Sequence, residues 1–350
     1  MREKQVTIRD VARESGVSVA TVSRYLNSNG YISQTAEKKV REVMERLNYH
    51  PNEIARGLAK KKTRTIALII PDITNPFFPE LVVAIEEVAK SKGYSIILIN
   101  NQSDDMKDNH FWKQLQNRYV DGFILASFQI DEKVLKAIEK LQIPFVRIDR
   151  AAENNTFDSI GLDNYKGARL AVEHLIEVGC KKIAHISGPE SFPSSTERKR
   201  GYLETVAAWS GIGEEVSPTG AGDKDRIYEG DFTLESGKVQ TQILMNEHKD
   251  VDGIFLANDL MAIGSLKALK LLGYHVPKDI AIIGFDGIKL TEMVEPEIST
   301  VEQPIYDIGV AATNKLIRKI EGLEDDKSYL EEPLLDVRLV KRQSTLGFGK

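Results

Sequence analysis

Apolar positions change their spacing once along the chain, near residue 65. Before that point they recur at helical intervals: Val11 and Ala12, then Val17, Val22 and Leu26, then Val40, Val43, Met44 and Leu47. The last four fall at i, i+3, i+4 and i+7, one face of a helix. Thr7 and Asp10 read as a capping box that starts a first helix, which Gly16 ends. Ser18 opens a second helix after a short turn, and a third follows Ser33. Two short helices joined by a tight glycine turn and braced by a third form the helix-turn-helix plan.

Beyond residue 65 the pattern becomes short, β-rich apolar runs at 66–70, 96–99, 122–125, 145–148, 183–186, 254–256 and 280–283. Helical stretches lie between several of them; in 80–92, Leu81, Ala84, Ile85 and Val88 share one face. Gly93, Gly179 and Gly273 each close a helix just before a strand, where a left-handed glycine returns the chain to the sheet. Strand–helix alternation of this kind predicts doubly wound parallel sheets, and the length predicts two of them. The expected fold is an all-α helix-turn-helix headpiece followed by an α/β body.

Charge sharpens the division. Residues 1–64 hold 14 Lys/Arg against 7 Asp/Glu, and the remainder 33 against 45. A basic head on an acidic body is the footprint of a head that meets phosphate. No run approaches the roughly eighteen apolar residues of a membrane span. The charged start lacks a signal peptide's apolar segment, and one cysteine, Cys180, suits a reducing compartment. The expected location is the bacterial cytoplasm, on the nucleoid when bound to DNA.

The second helix carries small and hydroxyl residues ending in an arginine. Val19 and Ala20 suit contact with a thymine methyl, and Arg24 suits O6 and N7 of guanine. Ser18, Thr21 and Ser23 suit phosphate contacts, which fix register without reading bases. Next comes Tyr49-His50-Pro51-Asn52-Glu53-Ile54-Ala55-Arg56-Gly57-Leu58, then Lys60-Lys61-Lys62. Gly57 makes a helix here marginal alone, so it forms only when packed on something. Leu58 suits a wedge in the minor groove.

Thr7-Ile-x-Asp10-Val11-Ala12, Gly16-Val17-Ser18-x-x-Thr21-Val22-Ser23-Arg24, Asn27, and Tyr49-x-Pro51-Asn52-x-x-Ala55-Arg56-x-Leu58 resemble the signature of the lac repressor family. Further along, Asp72-x-x-Asn75-Pro76-Phe77-Phe78, Asp163-Asn164, Gly230-Asp231-Phe232, Asn258-Asp259 and Gly284-Phe285-Asp286 are similar to its landmarks. The resemblance implies a body like periplasmic sugar-binding proteins, whose two lobes clamp an effector. It implies a helix-turn-helix domain over 1–50, a hinge over 51–64 and an effector and dimerisation domain over 65–345. The lobes would be 65–162 plus 291–325, and 163–290 plus 326–345. It also implies that Thr7, Ser18, Val19, Ala20, Thr21, Ser23, Arg24 and Asn27, with Asn52, Ala55, Arg56 and Leu58 of the hinge, meet a pseudo-palindromic operator.

A sugar presents an apolar ring face and many hydroxyl pairs. Phe78 and Phe232 suit the face; Arg198, Asp286, Asn258 and Asp259 suit the hydroxyls. Asp149, Ser194 and Gln303 stand behind them as further candidates. Phe192 falls where purine-binding relatives carry a base-contacting arginine, which favours a sugar. Glu229-Gly-Asp-Phe and Pro304-Ile-Tyr-Asp-Ile-Gly also resemble catabolite-control members, which answer to a phosphoprotein corepressor.

An enzyme is disfavoured. Gly211-Ile-Gly213 and Gly220-Ala-Gly222 lack the third glycine of a dinucleotide loop, and the six histidines have no zinc-binding spacing. No cofactor and no metal are expected. A stand-alone sugar-binding protein is disfavoured by the added head. With only a few residues after Thr345, the leucine heptads of the family's tetramers are missing, so a homodimer is expected.

Overall fold

The computed structural model describes residues 6–27, 30–49, 62–101, 109–117, 120–126, 132–148, 158–210, 226–323 and 335–349. The chain forms two units, Met1–Arg64 and Thr65–Lys350.

In the head, α1 (Ile8–Ser15), α2 (Val19–Asn27) and α3 (Gln34–Arg46) form as their apolar spacing predicts. The Thr7 N–H donates to Asp10 Oδ2 at 3.0 Å and the Asp10 N–H donates to Thr7 Oγ1 at 3.4 Å, completing the capping box. Gly16 ends α1 at φ 66°, in the left-handed region. Ser18 Oγ accepts from the Thr21 N–H at 3.1 Å and so starts α2. Val11, Val22 and Val40 are fully buried between the helices, while Ser18, Val19, Ala20 and Arg24 are exposed. Ala20 and Arg24 stand one turn apart on the side of α2 away from Val22, with Val19 and Ser23 on its flank.

The body holds two sheets. The first has the order β2-β1-β3-β4-β5, built from β1 (Thr65–Ile70), β2 (Ser95–Asn100), β3 (Gly122–Ala126), β4 (Phe145–Ile148) and β5 (Ser159–Ile160), all parallel. Its helices are α4 (Phe77–Ser91), α5 (Asn109–Asn117) and α6 (Glu132–Leu141). The second has β6 (Ile183–Ser187), β7 (Ile227–Glu229), β8 (Gly253–Leu256), β9 (Ala281–Asp286), β10 (Ser299–Glu302) and β11 (Arg338–Val340), ordered β11-β10-β9-β8-β6-β7. Helices α7 (Asn164–Glu177), α8 (Pro193–Ser210), α9 (Leu234–Glu247) and α10 (Asp259–Leu271) cover it. Only β11 is antiparallel to its neighbour among these strands. β1, β3, β8 and β9 are buried along almost their whole length, as central strands covered on both faces must be.

One boundary differs from expectation. The resemblance put a lobe crossing near 290, but β10 pairs with β9 in the second sheet, so the chain crosses at Gln303–Pro304. Polar β10 is held there because its side chains are satisfied. Ser299 Oγ meets Thr345 Oγ1 at 2.7 Å, and Thr300 Oγ1 donates to Asp259 Oδ1 at 2.6 Å. After the crossing, α11 (Ile305–Glu321) packs on α4 of the first lobe. Gly309 permits this: a Cβ there would lie 2.7 Å from the Ala84 Cβ. No helix among the described residues is long and apolar enough to cross a membrane.

Candidate functional site

A cavity of about 160 Å³ opens where the carboxyl ends of strands from both sheets face one another. Ligands of doubly wound sheets bind at that end, because the strand–helix turns there are free to carry side chains. The first lobe supplies Asp72 and Asn75 after β1, Phe77 and Phe78 at the start of α4, and Ile148 at the end of β4. The second supplies Asn164, Phe192, Ser194 and Arg198, then Asp231, Phe232 and Thr233, then Asn258 and Asp286. Gln303, at the lobe crossing, completes it.

Arg198 is the centre of the polar wall, only 5% exposed. Its Nε donates to Asn164 Oδ1 at 2.9 Å, Nη1 donates to the Ala257 carbonyl at 2.5 Å, and Nη1 lies 3.8 Å from Asp286 Oδ1. The guanidinium plane sits 3.7 Å above the centre of the Phe285 ring. Four restraints therefore fix a side chain that is otherwise among the most mobile. Asp286 Oδ1 accepts from Gln303 Nε2 at 2.6 Å.

Asp286 also carries strain. Its φ of 119° lies in the region that favours glycine. Burial pushes its carboxyl up to about 6, against the opposing pull of Arg198 and Gln303. An acid whose folded pKa is raised binds its proton more tightly in the folded state than in the unfolded one. Its contribution to stability is then full below about 4 and lost as pH rises through 6. At about 1.4 kcal/mol per unit, this contribution is on the order of 2–3 kcal/mol. Urea unfolding at pH 4.5 and 6.5 should show wild type losing stability relative to Asp286→Asn across this range, since the opposite contributions of the buried His174 and His185 are common to both proteins.

The apolar wall has aromatic rings from both lobes. Phe77 and Phe78 meet edge to face at 5.1 Å, and Phe192 and Phe232 do so at 5.6 Å. Phe232 reaches its place through a positive φ of 68° and lies so near Gly188 that a Cβ there would sit 2.2 Å from the ring. Asn258 is used at both ends: Oδ1 caps α10 by accepting from the Met261 N–H, and Nδ2 donates to the Phe232 carbonyl at 3.0 Å.

Of the effector candidates read from sequence, Phe78, Ser194, Arg198, Phe232, Asn258, Asp286 and Gln303 come together here. Asp259 does not line the cavity. It is fully buried behind it, where Oδ2 accepts from the N–H groups of Gly287 and Ile288 and Oδ1 from Thr300. Asp149 lies outside the described residues, as do the hinge candidates Asn52, Ala55, Arg56 and Leu58. In the head, Thr7, Ser18, Val19, Ala20, Thr21, Ser23 and Arg24 are described, Asn27 as the last residue of α2. Sequence reasoning missed Asn164, Asp72, Asn75, Phe77, Asp231 and Thr233 as lining residues, although most stand inside motifs it had singled out.

Residues 7–52 match the family model for bacterial regulatory proteins of the lacI family. Residues 63–342 match that for periplasmic binding proteins and the sugar binding domain of the LacI family. The chain is 41% identical over 341 residues to the ribose operon repressor of Halalkalibacterium halodurans, covering 97% of both chains. It is 38% identical to catabolite control protein A of Priestia megaterium, over 97% of this chain and 99% of the relative. Its fold is similar to the lac repressor dimer bound to operator and the anti-inducer ONPF, with a TM-score of 0.83 and 28% identity, covering 98% of this chain and 100% of that one.

Proposed function

Because the chain belongs to the lacI family of bacterial regulatory proteins, we propose that it represses transcription as a homodimer whose grip on operator DNA is loosened by a sugar. The head reads the operator: Val19, Ala20 and Arg24, exposed along one side of α2, enter the major groove, and Ser18, Thr21 and Ser23 meet phosphates. Asn52, Ala55, Arg56 and Leu58 extend the contact into the minor groove, with Leu58 as the wedge. The site of action is the cytoplasm, on the nucleoid.

The observation that carries the sugar reading is the pairing of two aromatic walls with the prearranged Arg198–Asp286–Gln303 group. Rings from both lobes suit the two faces of a pyranose or furanose, and the charged group suits its hydroxyls through charge-assisted hydrogen bonds. A ligand touching both lobes favours their closed arrangement and shifts the population that presents the hinges to DNA.

Fluorescence anisotropy of a labelled pseudo-palindromic operator, titrated with the full chain and a panel of pentoses and hexoses, tests the reading. We expect at least one sugar to weaken operator binding about tenfold or more, a coupling of about 1.4 kcal/mol. Operator binding that no sugar alters would remove the assignment. The likeness to catabolite control protein A supports a second reading, corepression by a phosphoprotein. Repeating the titration with a candidate phosphoprotein in place of the sugars separates the two by sign, because a corepressor strengthens the complex.

A further inference from the structure

We propose that the cleft selects uncharged sugars and rejects their phosphate esters, so that the protein reads a sugar before it is phosphorylated and not after. The inference rests on the sugar reading above and adds the charge class of the ligand.

Charge is the first ground. Among the described lining residues, three carboxylates, Asp72, Asp231 and Asp286, face one guanidinium, Arg198. That guanidinium is committed to Asn164 Oδ1, the Ala257 carbonyl and the Asp286 carboxylate. Asp72 and Asp231 stand on opposite lobes, each in the same local turn. Asp72 Oδ1 accepts from the N–H and Oγ1 of Thr74, and Asp231 Oδ1 accepts from the N–H and Oγ1 of Thr233. These bonds hold the carboxyls in place and use one oxygen of each. Burial pushes the Asp231 carboxyl up, but bonds from Ser236 and Thr233 outweigh it and hold it below its ordinary value. A phosphate ester would bring up to two further negative charges into this acidic mouth.

The second ground is independent of side-chain charge. Phosphates bind at helix N-termini, where backbone N–H groups stand free. Among the described residues five helices begin at this cleft, and side chains or turns occupy N–H groups at each start. Asp163 accepts from the Lys166 N–H of α7, Thr233 from the Ser236 N–H of α9, and Asn258 from the Met261 N–H of α10. At α4 the Phe77 N–H donates to Asn75 Oδ1, and Pro76 and Pro79 have none to offer. At α8 Pro193 has none, and the Ser195 and Thr196 N–H groups turn back to the Phe192 carbonyl. The mouth therefore offers a phosphate like charges and few free donors, whereas a sugar hydroxyl has a proton to donate to the Asp72 and Asp231 carboxylates and a phosphate dianion has none.

Isothermal titration calorimetry of the full chain with matched pairs tests this: D-ribose against D-ribose 5-phosphate, and D-glucose against D-glucose 6-phosphate, with inorganic phosphate alone as a control. We expect the free sugar of at least one pair to bind and its ester to bind on the order of 100-fold more weakly. The double variant Asp72→Asn, Asp231→Asn keeps both Oδ1 acceptors for Thr74 and Thr233 and so preserves the turns. It should narrow the gap about tenfold or more, chiefly through tighter ester binding. An ester that binds as well as its sugar overturns the selectivity while leaving the sugar reading in place. A gap that the double variant leaves unchanged overturns the charge argument. A protein that binds no member of any pair overturns the sugar reading and this inference with it.

Discussion

Replacing Arg198 with alanine is expected to abolish the response to sugar while the head continues to bind operator DNA. The side chain makes two buried hydrogen bonds, to Asn164 and Ala257, and stands 3.8 Å from Asp286. Removing it strands both acceptors and leaves a buried carboxylate without its cation, a change worth about 3–5 kcal/mol when one partner of a buried pair is lost. Asp286 has a cheaper course: its carboxyl, already raised to about 6, rises further and takes a proton near neutral pH. The cleft then loses a donor and an ionised acceptor together. Two charge-assisted hydrogen bonds to a sugar, at about 1.5–3 kcal/mol each, correspond to roughly 100-fold to 10,000-fold in affinity. Arg198→Lys should recover part of this, since an ammonium keeps the charge beside Asp286 but cannot reach Asn164 and Ala257 with a rigid fork. Calorimetry for the sugar and anisotropy for the operator separate the two activities. Sugar affinity unchanged in Arg198→Ala would place the effector elsewhere.

The central architecture was legible because burial on both faces leaves a strong mark. β1, β3, β8 and β9 are covered by helices on both sides, so they read as apolar runs. Short, half-buried or polar strands carry no such mark, whether at an edge, as β5 and β7 are, or between two neighbours, as β10 is. β5 has two residues, β7 is half-buried, and β10 reads Ser-Thr-Val-Glu. β10 is nonetheless buried, since Ser299 and Thr300 find partners on residues 342–345 and on Asp259, far away in sequence. That long-range satisfaction is invisible to periodicity, and it is why the lobe crossing moved to Gln303. In the cleft, residue chemistry identified the ring-stacking and charged side chains. It could not distinguish residues within a motif: Asn258 and Asp259 are adjacent, yet a helix start sends one to the cavity wall and the other into the core. Asn164 was hidden for the opposite reason, since beside a capping Asp163 it looks like an ordinary helix start.

Asp259→Ala therefore makes a sharp contrast with Arg198→Ala, and is expected to act on stability before it acts on binding. Asp259 Oδ2 accepts from the Gly287 N–H at 2.7 Å and the Ile288 N–H at 2.9 Å, and Oδ1 from Thr300 Oγ1 at 2.6 Å. Ile288 and Thr300 are at most 1% exposed, so water cannot replace what the carboxylate supplied. Stranded buried donors cost about 1–3 kcal/mol each, which puts the loss on the order of 4–6 kcal/mol. That is a large share of the roughly 5–15 kcal/mol by which a domain stays folded. Truncation offers no relief by collapse, because the carboxylate fills the space over Gly284, where a Cβ would come within 2.2 Å of Oδ1. The lost bonds also hold the two residues after Asp286, whose φ of 119° persists only while its surroundings enforce it. Asp259 is thus a positioning residue for Asp286, and sugar affinity should fall in whatever fraction of the variant remains folded. Urea unfolding and calorimetry on one preparation decide the order of effects. A variant as stable as wild type that has lost only sugar binding would return Asp259 to the cleft.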